Sequence, residues 1–222
     1  MGGALIKFDS NQAEGAIPVI KRLLQPIYDK VNYAIAGAET FTFFVDGMGE
    51  SKTLIRQTAA GTRAAGTYAK SYLDTNMQRQ KQFDVKLVVF GISLAFMHST
   101  FPTGATEAGG LLVAQAINDR EAIRQFGYMD FIIGDNHKLY LPLIHLPIAN
   151  PISAIATVGT NYTMYSDEPT QSKMFVFPKG GELHIPKNYT VQVEFKFPTV
   201  TPINATLDML LTLWASTEGK VG

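Results

Sequence analysis

The chain has 222 residues, no cysteine, and 19 basic against 19 acidic side chains. The lack of cysteine excludes disulfides, thiol nucleophiles and cysteine-ligated zinc, and the zero net charge argues against a surface that seeks nucleic acid or anionic lipid throughout. Charged residues make up only 17% of the sequence, while 14 Phe and 9 Tyr are present. This composition suits a protein that buries surface against neighbouring subunits.

Residues 1–38 are predicted to form an N-terminal arm or helix. Charged residues interrupt the first twenty positions, so no secretion signal is predicted. Apolar residues then recur at helical spacing until Pro26, which would kink or end a helix. The predicted helical face consists of Ile17, Ile20, Leu23, Leu24 and Ile27.

Residues 39–222 read as an all-β domain of about eight antiparallel strands. The clearest strand lies within Tyr189–Phe197, where apolar and polar residues alternate, as they do in a strand with one wet face. A longer strand is predicted over Phe83–Met97, and Gly91 marks a bulge or bend within it. Gly134 and Asp135 predict a hairpin turn, and the last strand begins at Leu207.

Two long excursions interrupt these strands, at about residues 51–82 and about residues 98–127. The second is predicted to be partly helical. The first has six basic residues and one acidic residue, and it is predicted to be ordered but at most partly helical, since Gly61 and Gly66 interrupt it. Its charge predicts inter-subunit or inner-surface contacts, whereas a solvated loop and a nucleic-acid contact remain alternatives. The residues assigned to such contacts are Lys52, Arg56, Arg63 and Lys70.

No residue is assigned a catalytic, cofactor-binding or metal-binding role, and the chain is not predicted to be an enzyme. The four histidines lack the spacing of a metal-ligand motif, and there is no nucleophile elbow. His145 is predicted to be a hydrogen-bonded core residue and His184 a surface residue. Tyr140 and Trp214 lie out of phase with the core faces of their strands, which makes them candidates for a contact surface.

The order of these segments resembles that of single jelly-roll virion coat proteins of bacterial or archaeal viruses. The stretch GELHIPKNYTVQVEF resembles the penultimate hairpin of such proteins. The resemblance implies an eight-stranded jelly roll that assembles with copies of itself and other virion proteins into an icosahedral shell. It also implies a location in the virion after synthesis in the host cytoplasm, inner-surface contact with genome or an internal lipid layer, and no small-molecule substrate.

Two other classes share this layout. One is a non-enzymatic carbohydrate-binding or appendage module built on the same sandwich. The other is a cupin-like enzyme, although the histidine and glutamate ligand motifs of cupins are missing from the sequence. The shell subunit is preferred because scarce charge and abundant apolar residues suit repeated interfaces.

Overall fold

The computed structural model describes residues 21–58, 63–77, 82–83, 85–99, 107–150, 152–156, 162–166 and 174–219. Within these ranges the chain is mostly β-strand, with one α-helix and a single 3₁₀ turn at Leu143–His145. The elements in chain order are β1 (Lys21–Tyr33), β2 (Thr40–Phe43), β3 (Ser51–Gln57), β4 (Arg63–Ala69), β5 (Leu87–His98), α1 (Glu107–Phe126), β6 (Tyr128–Ile133), β7 (Asn136–Pro142), β8 (Ile152–Ala156), β9 (Tyr162–Ser166), β10 (Phe175–Val176), β11 (Leu183–Ile185), β12 (Val191–Lys196) and β13 (Leu207–Gly219).

Two antiparallel sheets pack face to face, so the all-β sandwich expected from the sequence is confirmed. The first sheet has the order β1-β13-β5-β10, with β11 also paired to β5, and the second has the order β2-β12-β6-β7. Apolar residues on alternate positions of both sheets meet in one core. Burying each large side chain contributes roughly 1.5–3 kcal/mol. The largest fully buried side chains include Tyr33, Phe43, Phe96, Phe131 and Phe195.

The strands of the sandwich pair in a nested order. β10 and β11 pair with successive parts of the same edge of β5, so together they occupy one strand position and the two large sheets have eight such positions. The first position pairs with the last (β1 with β13), β2 pairs with β12, β5 with β10 and β11, and β6 with β7. The two halves of the chain therefore pair like the arms of one long hairpin. Successive strand pairs along this hairpin belong alternately to the first and the second sheet.

The predicted N-terminal helix is wrong for the residues that the structure describes. Lys21–Tyr33 is a strand that pairs with β13 along its whole length, from Lys21 opposite Gly219 to Tyr33 opposite Leu207. Ile17 and Ile20 lie outside the described residues. Because pairing with β13 satisfies the backbone of this segment, β1 is part of the main sheet.

The first excursion, predicted to be ordered and at most partly helical, contains a β-hairpin and no helix where the structure describes residues 51–82. β3 pairs with β4 in register from Ser51 opposite Ala69 to Gln57 opposite Arg63. The helix predicted in the second excursion is present as α1. No helix in the described part of the chain combines the length and the hydropathy that crossing a bilayer requires.

Glycines allow two close approaches in the sandwich. The pairing of β13 with β5 shifts register beside Gly91, which confirms the predicted bulge. A Cβ atom on Gly91 would lie 2.8 Å from the Met174 sulfur. α1 is followed directly by Gly127, whose N–H donates to the Ile123 carbonyl. A Cβ atom there would lie 2.6 Å from a Leu143 methyl group and 2.7 Å from the Phe197 ring, so the helix end packs directly on the core.

Candidate functional site

The four basic residues predicted to make contacts lie on or next to the two strands of the β3–β4 hairpin. Lys52 and Arg56 lie on β3, Arg63 begins β4, and Lys70 follows β4 directly. Lys52 and Arg63 are exposed, whereas Lys70 is only 3% exposed. Lys52 and Arg63 are therefore accessible at the surface, whereas Lys70 is buried and ion-paired within the subunit.

Lys70 forms a buried ion pair with Asp29 on β1. Its Nζ donates to Asp29 Oδ1 at 2.6 Å, and the Phe44 N–H donates to Asp29 Oδ2 at 2.7 Å. Burial raises the pKa of the Asp29 carboxyl, and the charge of Lys70 opposes that change. Phe44 has a φ of 67°, a conformation that is unfavourable for a bulky residue. Asp29 thus holds both the end of the hairpin and this strained residue against β1.

Arg56 is bound to a second buried carboxylate, that of Asp74. Its Nη1 donates to Asp74 Oδ1 at 2.6 Å and its Nη2 to Asp74 Oδ2, while Lys30 of β1 donates to Asp74 Oδ1 at 3.0 Å. Burial alone would raise the pKa of Asp74, but the hydrogen bonds from Arg56, the Ser71 N–H and Lys30 hold it well below its usual range. Arg56 therefore joins the hairpin to β1 through Asp74.

Asp208 of β13 provides a third buried carboxylate. It accepts hydrogen bonds from the Ile55 N–H at 2.9 Å and from Asn32 Nδ2 at 2.8 Å. Burial raises the pKa of this carboxyl. We refer to the six charged residues that hold the hairpin on the sheet as the hairpin latch. They are Asp29, Lys30, Arg56, Lys70, Asp74 and Asp208, and their formal charges sum to zero.

A cleft of about 550 Å³ opens beside the hairpin latch, between β1, β2 and β3. This volume lies in the range of small-molecule sites. Lys30, Lys52, Lys70 and Asp46 contribute to its lining. Lys52 Nζ lies 3.0 Å from Asp46 Oδ2, so all three lysines are already paired with carboxylates. The structure thus brings Lys52 and Lys70 to one cleft but leaves Arg63 at the far end of the hairpin.

The histidines occupy different environments. His145 lies exposed in the 3₁₀ turn, so its predicted place in the core is wrong, whereas His184 is exposed as predicted. His98 is buried, and burial followed by the charge of Arg120 lowers its pKa to about 4. Among the described residues, no three His, Asp or Glu side chains converge as they would around a metal ion.

The two aromatic residues proposed for a contact surface differ in exposure. Trp214 is half-buried on the outer face of the first sheet, where its Nε1–H donates to Ser93 Oγ at 3.0 Å. Tyr140 is 60% exposed on β7, next to His137. Sequence reasoning missed the partner of His137, the buried Asp130. A lone carboxylate within the apolar segment YMDFII was the available signal.

Comparison of this chain with known protein families, with curated proteins and with solved structures found no match. The fold defines the class of protein, an antiparallel β-sandwich with an added hairpin and helix.

Proposed function

We propose that this chain is a structural shell subunit, a jelly-roll virion coat protein that assembles with copies of itself. The observation that carries the proposal is the nested pairing of eight strand positions across two sheets. That order is the one expected when two Greek keys wind into a jelly roll, an architecture of viral capsid and lectin domains and of cupins.

The interior of the sandwich favours a structural role over a cupin-like enzyme. Aromatic side chains occupy the space between the sheets: the rings of Tyr33 and Phe41 stack at 4.4 Å, and both meet the edge of Phe197 within 5.8 Å. The space between the two sheets is therefore a packed core. The same packing suits a subunit that must resist the stress of assembly.

Four exposed apolar residues lie on chain segments at one end of the sandwich, and they support a subunit that tiles against its neighbours. We call this set the apolar rim: Ile35, Phe126, Ile144 and Val200. Strand pairings bring Lys196 opposite both Thr40 and Tyr128, so the chain segments that carry these residues leave the second sheet side by side. Exposed apolar clusters on an otherwise polar surface mark protein interfaces.

The ion pairs that the basic residues form at the hairpin favour protein partners over the genome. Arg56, Lys30 and Lys70 are paired with Asp74 and Asp29, and a cation that is already paired and buried is a poor ligand for phosphate. Copies of the chain and other virion proteins are therefore the proposed partners, and the virion is the proposed location.

The test is the size of the purified protein. We expect light scattering after gel filtration to give particles far larger than the 24.3 kDa chain, and negative-stain images to show closed shells. The double variant Ile35→Ser/Val200→Ser should give only small particles. Val176→Ser, which removes an apolar residue of β10 that is more exposed than either of them, should assemble normally. A monomer at all salt concentrations and pH values would contradict the proposal.

The runner-up is a carbohydrate-binding or appendage module, which is favoured by the exposed ring of Tyr140 beside His137. A stable monomer that binds glycans would support that alternative over the shell.

A further inference from the structure

A row of polar and aromatic side chains crosses the outer face of the second sheet. Glu194 on β12 lies opposite Thr42 of β2 and Asp130 of β6, and Asp130 lies opposite Tyr140 of β7. This row spans three inter-strand spacings, about 14 Å, which is enough for two or three sugar rings. We name it, with the two residues that flank it, the outer-face patch: Thr42, Asp130, His137, Tyr140, Glu194 and Lys196.

The patch contains two rings that lie nearly parallel. The His137 and Tyr140 rings are inclined by only 11°, with their centroids 5.7 Å apart. His137 Nδ1 lies 2.9 Å from each oxygen of Asp130, so a proton on Nδ1 can be donated to this carboxylate. Because Asp130 fixes the imidazole, the pair forms a preorganised, exposed platform.

The charged groups of the patch are also fixed by one another. Lys196 Nζ donates to Asp130 at 2.7 Å and lies 2.8 Å from Glu194, and Gln192 donates to Glu194 at 2.5 Å. Burial alone would raise the pKa of Asp130, but the hydrogen bonds from Lys196 and His137 keep it below its usual range. These side chains are already ordered, so a ligand that binds them loses little additional side-chain entropy.

We propose that the outer-face patch binds a neutral saccharide. An exposed aromatic ring stacks on the apolar CH face of a pyranose, while the ordered Glu194 and Lys196 offer an acceptor and a donor to its hydroxyl groups. Two carboxylates, those of Asp130 and Glu194, face the single lysine of the patch. The resulting negative charge of the patch disfavours phosphate, sulfate and sialic acid. A protein partner would require a more apolar centre. This site is separate from the apolar rim and does not depend on the shell proposal.

The test begins with an array of neutral, sialylated and sulfated oligosaccharides, followed by calorimetric titration with the neutral oligosaccharide that gives the strongest signal. We expect Tyr140→Ala to weaken binding about tenfold or more, in line with the loss of one stacked ring, and Tyr140→Phe to retain it. Tyr72→Ala is the matched control, because Tyr72 is similarly exposed but lies outside the patch, and it should bind as the parent does.

A second variant keeps the test independent of the ring. Glu194→Gln preserves the shape of the side chain but removes the carboxylate that faces Lys196, and we expect it to weaken binding several-fold. Circular dichroism and the unfolding midpoint confirm that each variant is folded. The proposal is overturned if no neutral oligosaccharide binds, if anionic glycans bind better, or if folded Tyr140→Ala binds with unchanged affinity.

Discussion

Arg120 on α1 donates its Nε–H to Nε2 of His98 at the end of β5, at a distance of 3.0 Å. Both side chains are at least 97% buried, and the other two guanidinium nitrogens donate to the carbonyl oxygens of Asn150 and Phe96. The acceptors that bind this guanidinium within the described part of the chain are uncharged, and burial lowers the pKa of Arg120 to about 10. His98 therefore has to be neutral at Nε2 to accept this hydrogen bond from α1.

This relationship predicts a loss of stability in acid. Burial, followed by the charge of Arg120, lowers the pKa of His98 to about 4, with Asp119 opposing the change. The unfolded chain, with a His pKa near 6.5, takes up a proton first, so stability falls as pH drops from about 6.5 to about 4 and the loss levels off below that. The full difference corresponds to about 3 kcal/mol.

Urea unfolding at several pH values between 7 and 4 measures this loss. His98→Gln supplies an amide oxygen near the position of Nε2 but does not titrate, so its stability should fall less over the same range. Asp29 and Asp208, whose pKa values burial raises, contribute equally to both proteins and cancel in the comparison. Parallel pH profiles for the two proteins would refute the role assigned to His98.

Asp74→Asn is expected to be strongly destabilising. The change removes the carboxylate that holds Arg56 and leaves the buried ammonium of Lys30 unpaired, which typically costs about 3–5 kcal/mol. Asp46→Asn is the matched control. It breaks the pair with Lys52, which is half-exposed, and should cost at most about 1 kcal/mol. Equal losses in urea unfolding would show that the hairpin latch has no special role.

Charge reversal in the hairpin should separate folding from assembly. Arg56→Glu places a carboxylate against the buried Asp74 and should lower the unfolding midpoint strongly. Arg63→Glu and Lys52→Glu alter exposed positions, where a charge pair contributes at most about 1 kcal/mol, so they should lower that midpoint much less. If the hairpin lies at a contact between subunits, the two exposed reversals should instead reduce particle formation and alter its salt dependence. Scanning calorimetry and light scattering provide the two measurements. Normal assembly of Arg63→Glu and Lys52→Glu across the salt range would place the hairpin outside such contacts.

Gly127→Ala is expected to destabilise the protein by about 1–3 kcal/mol through overpacking. The new methyl group would lie within 3.0 Å of Leu143, Phe197 and the Ile123 carbonyl oxygen, and one of these contacts is to backbone. A chemical denaturation curve provides the measurement. An unchanged midpoint would mean that the end of α1 shifts away from the core at little cost.

The sandwich could be predicted from the sequence wherever a strand has one wet face. In β12, Val191, Val193 and Phe195 are buried while the residues between them are half-exposed, and this alternation is visible in the letters alone. β1 was not predicted to be a strand because two of its buried residues, Asp29 and Lys30, are charged. Its alternation was therefore hidden by charged residues whose partners lie far along the chain.

The candidate site was less predictable for the same reason. The basic residues stand out in the sequence, but their pairing does not. The partners of Lys70 and Arg56 come from β1 and from a turn after β4, and Ile55 binds Asp208 from 153 residues away. Spacing along a chain does not reveal such distant pairings. His145 was misplaced because Pro142 ends β7 and the following 3₁₀ turn breaks the alternation.

The position of β13 between β1 and β5 has a consequence for synthesis of the protein. β13 follows the other described strands in the chain, yet it is the central partner that joins β1 to the rest of the first sheet. While the ribosome is still making the preceding segments, β1 and β5 have unpaired edges and apolar faces without cover. Such edges pair readily with other chains, so nascent chains that stall before Leu207 should be prone to aggregation and to capture by chaperones.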